Sequence, residues 1–401
     1  MFFRRLATSG ILMLLLVGYG LTHPLYGHPG FARQYKMSCA TCHNPAPRLT
    51  AVGKEFARNA FTLKGEEPSD AQLDTGDPLL LLQALPPIGF RLDAYVRYRP
   101  DAAGTGMTGD FQSPYLMKFL SGGRLANKAG YYFSFFLSDQ GELSGIRDAY
   151  LYFANILGTS IGMTLGQFQV SAPLFQRELR LTFEDYTLYN TRITPGVPVN
   201  LTYDRGVMLN YTAPWGSDVF LEVLNGNGIG KAAGGVFDGD RFKNLALRWS
   251  QPLSNLRLGA FGYYGKTGLG DSASNLTVIY GPDATLEIGP VEFNLQYLRR
   301  TDDNPYPAAG RPASEILTQG SLAEAIFTPH GDRSRWYLIG LFNYRTSNIR
   351  EYFTGAPLQE YQSAGVTWTY LLARNLRLSL EYNRDLYNNQ NRLTAGFFSA
   401  F

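Results

Sequence analysis

Cysteine is almost absent: Cys39 and Cys42 are the only two among 401 residues. So few exclude a disulfide framework, and with only 4 histidines no further ligands stand at zinc-site spacing. Charge is sparse at 17% of residues, and 36 basic against 33 acidic side chains leave no surplus of the kind nucleic-acid binding uses. No apolar run reaches the roughly 20 residues of a membrane-spanning helix. The run Ile11–Val17 is too short and follows a basic start, Met1–Arg5. With small residues after it, the stretch reads as an export signal, cut after Gly27 or, in competition, after Gly20.

Cys39, Ala40, Thr41, Cys42 and His43 spell C-x-x-C-H, the attachment pattern of a c-type haem. Each thiol can form a thioether to a haem vinyl group, and the adjacent imidazole is placed to bind the iron. A local disulfide is the alternative use of the pair. One covalent haem c is therefore the expected cofactor, and an exported chain is where such attachment takes place. The opposite axial position is open to His28, His330, Met37, Met107, Met117, Met163 or Met208. His28, close in sequence to the motif, is the candidate distal ligand; methionine would give a higher potential than a second histidine.

Beyond Asn44-Pro45-Ala46-Pro47 the spacing predicts a helix over Arg48–Phe61. Leu49, Val52, Phe56 and Ala60 form its apolar stripe, which would cover a haem face or pack on a wall. Glu66–Pro78 reads as a polar linker. The expected organisation is an export signal over 1–27, a mostly helical or irregular haem segment and linker over 28–82, and a barrel over 83–401.

What is abundant belongs to that barrel: 26 tyrosines, 26 phenylalanines and 43 glycines. Phe90, Leu92, Ala94, Val96 and Tyr98 alternate with Arg91, Asp93, Tyr95, Arg97 and Arg99. A soluble sandwich would bury one of those faces, whereas a barrel with lipid outside and water inside suits both. The alternation recurs in Tyr131–Ser138, Val291–Tyr297 and Leu376–Asn383, and the chain ends on Phe401 in the manner of outer-membrane barrels. Short connections at Asn127-Lys128, Asn155–Gly158, Ala213–Ser217, Gln251–Asn255, Gly289-Pro290 and Leu372–Asn375 mark one end. The mainly β fold expected is a transmembrane outer-membrane barrel of about sixteen antiparallel strands, running from Ile88–Arg99 to Asn391–Phe401, with both termini periplasmic. The count needs a weak strand within Glu315–Thr328 and falls to roughly fourteen without it. Residues Val170–Thr202 become the third outer loop, carrying Arg177, Glu178, Arg180, Glu184 and Asp185, and would either line a constriction or lie as a solvated surface loop. The haem segment is expected in the lumen or at the periplasmic mouth, where the wall shields its backbone from lipid.

Phe31-Ala32-Arg33-Gln34, Met37–His43, Pro47-Arg48-Leu49-Thr50 and Gly53-Lys54-Glu55-Phe56 resemble the fused outer-membrane cytochrome–porins, the monohaem iron oxidases of iron-oxidising bacteria. The resemblance implies haem on Cys39 and Cys42, with His43 as its proximal iron ligand. It also implies an oxidoreductase that takes electrons from extracellular Fe(II) and passes them to a periplasmic c-type cytochrome. Glu178, Glu184 and Asp185 would then draw the ion in, as hard oxygen ligands suited to a divalent cation. Gly166-Gln167-Phe168 and Asp204-Arg205-Gly206-Val207 resemble phosphate-selective porins. Two other functions fit the same residues: a diffusion porin with a structural or sensing haem, and electron export to outside acceptors.

Overall fold

The structure, a computed structural model, describes residues 30–63, 72–73, 75–77, 79–80, 82–83, 87–100, 106–232, 234–270, 273–306, 315–352 and 360–401. The expected export signal and His28 lie outside the described residues.

Three short helices come first: α1 (Gly30–Gln34), α2 (Cys39–Cys42) and α3 (Ala51–Arg58). A two-residue antiparallel pair, β1 (Gln72–Leu73) with β2 (Leu82–Gln83), leads towards the barrel. Eight strands follow: β3 (Ile88–Pro100), β4 (Met107–Ala126), β5 (Ala129–Asp139), β6 (Gly145–Phe153), β7 (Ile161–Gln169), β8 (Tyr203–Thr212), β9 (Asp218–Leu224) and β10 (Asn244–Leu253). The second eight are β11 (Leu256–Gly268), β12 (Ser274–Ile288), β13 (Val291–Asp302), β14 (Ile316–Phe327), β15 (Trp336–Ser347), β16 (Tyr361–Ala373), β17 (Leu376–Asp385) and β18 (Gln390–Ala400). Strands β3 to β18 form one closed antiparallel barrel, each paired with its chain neighbours and β18 with β3. Closure leaves no sheet edge, which a lipid-embedded sheet requires. Phe401 seals the seam: its N–H donates to the Phe90 carbonyl at 2.9 Å, and the two rings lie 5.1 Å apart.

The alternation resolves as lipid outside and polar lumen inside. Leu245, Leu247 and Trp249 of β10 and Phe293, Leu295 and Tyr297 of β13 are exposed on the outer surface. Asp93, Ser134, Asn294, Gln296, Glu381 and Asn383 are buried on the inner one. The anticipated tight turns all join consecutive strands at one end of the barrel, the short-turn end. Strand β14 is fully formed, so the count is sixteen.

Residues 170–202 enter the lumen and cross it as a strap. Val170, Tyr189, Val197, Val199 and Leu201 are at most 2% exposed, packed on inward-facing Leu224, Ala246, Phe261, Ile279, Leu298, Leu322 and Leu341 of β9 to β15. Burying a side chain of that size stabilises by about 1.5–3 kcal/mol, so the strap is part of the core. Of the two states the sequence left open for this loop, the structure takes the lumenal one. The weak alternation of β14 has the same cause: its Leu322 and Ile326 face strap residues rather than water.

Candidate haem-binding site

The residues from Gly30 to Leu63 fold against the inner wall at the short-turn end. Ser38 caps α2 by accepting from the Ala40 N–H at 3.3 Å, and the helix ends after one turn because His43 is extended (φ −131°, ψ 117°). From there the chain doubles back. His43 pairs with Leu49 in an isolated bridge, Arg48 donates to the Pro45 carbonyl at 2.9 Å, and Thr50 donates to the Cys42 carbonyl at 2.9 Å. The Thr50 hydroxyl holds the Thr41 carbonyl at 2.8 Å and accepts from Gly53 N–H at 3.1 Å, capping α3. Gly53 lies directly against the Cys42 backbone, and an added Cβ would collide with that carbonyl.

The reversal brings the Pro47 carbonyl to 2.7 Å from His43 Nδ1. A carbonyl only accepts, so the proton stands on Nδ1 and the lone pair on Nε2. Burial pushes the imidazole below its ordinary range, against the opposing pull of the Pro47 and Arg48 carbonyls, and so favours the neutral ring. Neutral imidazole with Nδ1 tied to a carbonyl is the state in which histidine binds a metal. Both cysteines are reduced and one helical turn apart; burial raises both thiols. Two thiols and an oriented imidazole therefore fit a covalently held haem.

The expected helix over Arg48–Phe61 is shorter, Ala51–Arg58, because Ala60 and Phe61 turn into the left-handed region at φ 53° and 59°. Its stripe is divided: Phe56 and Ala60 are buried, while Val52 is 45% exposed. Phe56 packs edge-on against Phe31 at 5.0 Å and Tyr35 at 5.3 Å, and Phe61 reaches Tyr132 of the wall at 6.1 Å.

Polar clamps fix the segment to the barrel. Arg48 pairs with Glu292 at 2.6 Å and Glu324 at 3.5 Å, and Arg58 pairs with Asp218 at 3.2 Å. The Ala46 carbonyl accepts from Tyr337 at 3.2 Å and from Arg377. Arg33 donates to the Ile88 carbonyl at 2.6 Å. Sequence reading missed these wall partners, although Glu324 was visible as a lone acid in the run Leu322–Ile326.

The other candidate residues are scattered. Met117 and Met163 lie on the outer face, opposite Leu92 and Phe153, while Met208 packs inside against the strap. His330 sits exposed in the 328–335 turn. Glu178, Glu184 and Asp185, expected to draw the ion in, each face a cation of the wall or strap. Glu178 lies 3.1 Å from Lys118, Glu184 3.0 Å from Arg392, and Asp185 2.5 Å from Arg177. Among the described residues no group of three or more His, Cys, Asp or Glu side chains is placed to hold a metal ion.

The strap's charged stretch is anchored across the lumen. Glu381 of β17 accepts the N–H groups of Phe183 at 2.7 Å and Glu184 at 3.0 Å, and the Phe183 ring packs between Tyr95, edge-on at 4.6 Å, and Phe398 at 4.9 Å. The two porin-resembling stretches are neighbours in the wall: Gly166 faces Gly206 and Gln167 faces Arg205 across β7 and β8.

No protein-family model matches the chain, and no curated protein matches it in sequence. Solved structures do match in shape. A loop-deleted OmpT, an outer membrane protein of Vibrio cholerae, is 13% identical with a TM-score of 0.53, covering 78% of this chain and 98% of its own. A refined porin is 14% identical with a TM-score of 0.51, covering 78% and 99%. The barrel is porin-like. OmpF of Salmonella typhi, solved with daunomycin, gives a TM-score of 0.53 at 8% identity, covering 78% and 97%. At such identities the porin-like barrel is a shared fold.

Proposed function

We propose that this protein is an outer-membrane electron-transfer protein, with one haem c on Cys39 and Cys42 and His43 as proximal ligand. In this reading it takes electrons from extracellular Fe(II) and delivers them to a periplasmic c-type cytochrome, with the short-turn end and both termini periplasmic. The observation that carries it is the His43–Pro47 contact at 2.7 Å within a segment clamped inside a porin-like barrel. Bound there, haem would supply a one-electron iron couple. His43 would hold the iron through Nε2, the Pro47 carbonyl would fix the ring, and Arg48 would fix the loop carrying that carbonyl.

The lumen supports transfer of electrons over diffusion of solutes. The strap bonds to or packs on β3, β4 and β9 to β18, and the haem segment lies at the short-turn end of the same lumen. An inward-folded loop narrows a sieving barrel as well, so it is the haem-motif segment clamped at the short-turn end that favours electron transfer. The membrane's insulating core is about 30 Å thick, so a donor must approach the strap from outside while the acceptor meets the short-turn face. Fe(II) as donor and an inward direction rest on the sequence resemblance.

Adding Fe(II) to the oxidised, purified protein near neutral pH tests the reading. Reduction of the haem spectrum is expected, and a spectrum that stays oxidised would overturn it. Planar-bilayer recordings separate the rival: a steadily conducting wild-type barrel would favour the diffusion porin. Reduction of outside acceptors by pre-reduced protein, without Fe(II) oxidation, would favour electron export.

A further inference from the structure

We propose that Glu324 is a positioning residue coupling the lumenal strap to the proximal side of the haem. This inference rests on the haem reading above. Glu324 points into the lumen from β14 and is 2% exposed. Its Oε1 accepts from the Tyr186 hydroxyl of the strap at 2.7 Å. Its Oε2 accepts from Asn294 Nδ2 at 3.1 Å and Arg48 at 3.5 Å. One carboxylate therefore holds both inserts that occupy the barrel.

Arg48 does more than clamp. It follows Pro47 directly, and its own carbonyl accepts from Asn44 N–H at 3.0 Å, so moving Arg48 moves the Pro47 carbonyl. That carbonyl holds His43 Nδ1. An outer partner of a metal-bound histidine sets both ring orientation and ligand basicity. A cation carried by the residue next to an acceptor carbonyl weakens that acceptor electrostatically unless anions offset the charge. Glu292 and Glu324 provide that offset, and Tyr186 draws on Glu324 from the other side. Loosening the strap thus changes how much of the Glu324 charge reaches Arg48. Ligand basicity and hydrogen bonding are among the levers on a haem potential.

The signs follow. Glu324→Gln leaves Arg48 less neutralised, weakens the Pro47 acceptor and moves the midpoint potential upwards. Tyr186→Phe frees Glu324 for Arg48 and moves it downwards. In the double variant the Tyr186 effect disappears, because its path runs through the missing carboxylate. The same charge change at exposed Glu287 leaves the potential unchanged.

Redox titration of the full-length, haem-loaded protein, with resonance Raman of the iron–imidazole stretch, provides the test. Opposite shifts from the two single variants, lost in the double, are the expected result. Unchanged potentials in haem-loaded Y186F and E324Q would overturn the inference, as would an E287Q shift equal to that of E324Q. If E324Q does not fold, Y186F decides alone, and an unmoved potential and Raman band refute the coupling. Absence of covalent haem from the wild type would instead refute the underlying reading.

Discussion

Gly53 and Cys42 touch backbone to backbone: helix α3 lies on the carbonyl that closes the C-x-x-C turn, with no space for a side chain between them. In an exposed helix, alanine for glycine would stabilise by about 0.5–1 kcal/mol. Here the added methyl meets a carbonyl already bonded to Thr50 N–H at 2.9 Å, which cannot move aside freely. Overpacking of this kind costs about 1–3 kcal/mol, so the clash outweighs the propensity gain. Gly53→Ala should lower covalent haem per folded barrel, read by haem staining against heat-modifiable gel mobility. Full haem loading would show that α3 is not seated on Cys42.

Thr50 joins the same parts through its hydroxyl, donating to Thr41 and accepting from Gly53. Loss of an N-cap costs about 0.5–2 kcal/mol, and Thr50→Val removes both bonds while keeping the shape. Thr50→Ser keeps both. Chemical denaturation followed at the haem absorbance should show the valine variant losing stability and the serine variant close to wild type. Equal stability of the two would remove the hydroxyl from the account.

The strap hangs on Glu381. Its two oxygens each accept one strap N–H, and Thr367 donates to it at 2.7 Å. Glutamine offers only one acceptor atom and turns an N–H₂ towards a donor. Leaving a buried polar group unsatisfied costs about 1–3 kcal/mol, and about 1.4 kcal/mol changes a population tenfold. In planar bilayers Glu381→Gln should therefore open about tenfold more often than wild type. An equally silent variant would mean that the apolar packing alone holds the strap.

Much of this was legible beforehand, for reasons that lie in particular residues. Lipid and water on opposite faces impose the alternation of Phe90–Arg99, and tight turns betray one barrel end, so strand count and loop rank followed. The haem motif is local and needs no fold to be seen. The strap's docking was hidden because Leu322, Ile326 and Leu341 look the same whether they face lipid or a buried loop. The clamp from Arg48 to Glu324 spans 276 positions, and nothing near either residue names the other. The cations facing Glu178 and Glu184 were hidden in the same way: Lys118 and Arg392 lie on β4 and β18, far from the loop in sequence. The early end of α3 depends on left-handed backbone at Ala60 and Phe61, residues that carry no signal for it.

Acid should release the strap only late. Burial alone would raise the carboxyl of Glu178, but Lys118, Arg177, Arg180 and Arg91 outweigh it and hold the group well below the ordinary carboxylate range. Arg180 and Arg177 likewise outweigh burial at Asp185 and lower its carboxyl. A group with a depressed native pKa contributes stability that is fully present above its unfolded value, about 4 for these acids. That stability is lost as pH falls through the native value. Conductance should therefore stay flat from neutral pH to about pH 4 and rise below it. Lys118→Met removes one of the cations holding Glu178 down, so the variant should conduct more at neutral pH and show a smaller rise on acidification than the wild type. Asp185→Asn removes one of the two titrating acids and should shrink the acid response. A wild-type barrel already opening between neutral pH and about pH 5 would show that other groups, not these two carboxylates, hold the strap in place.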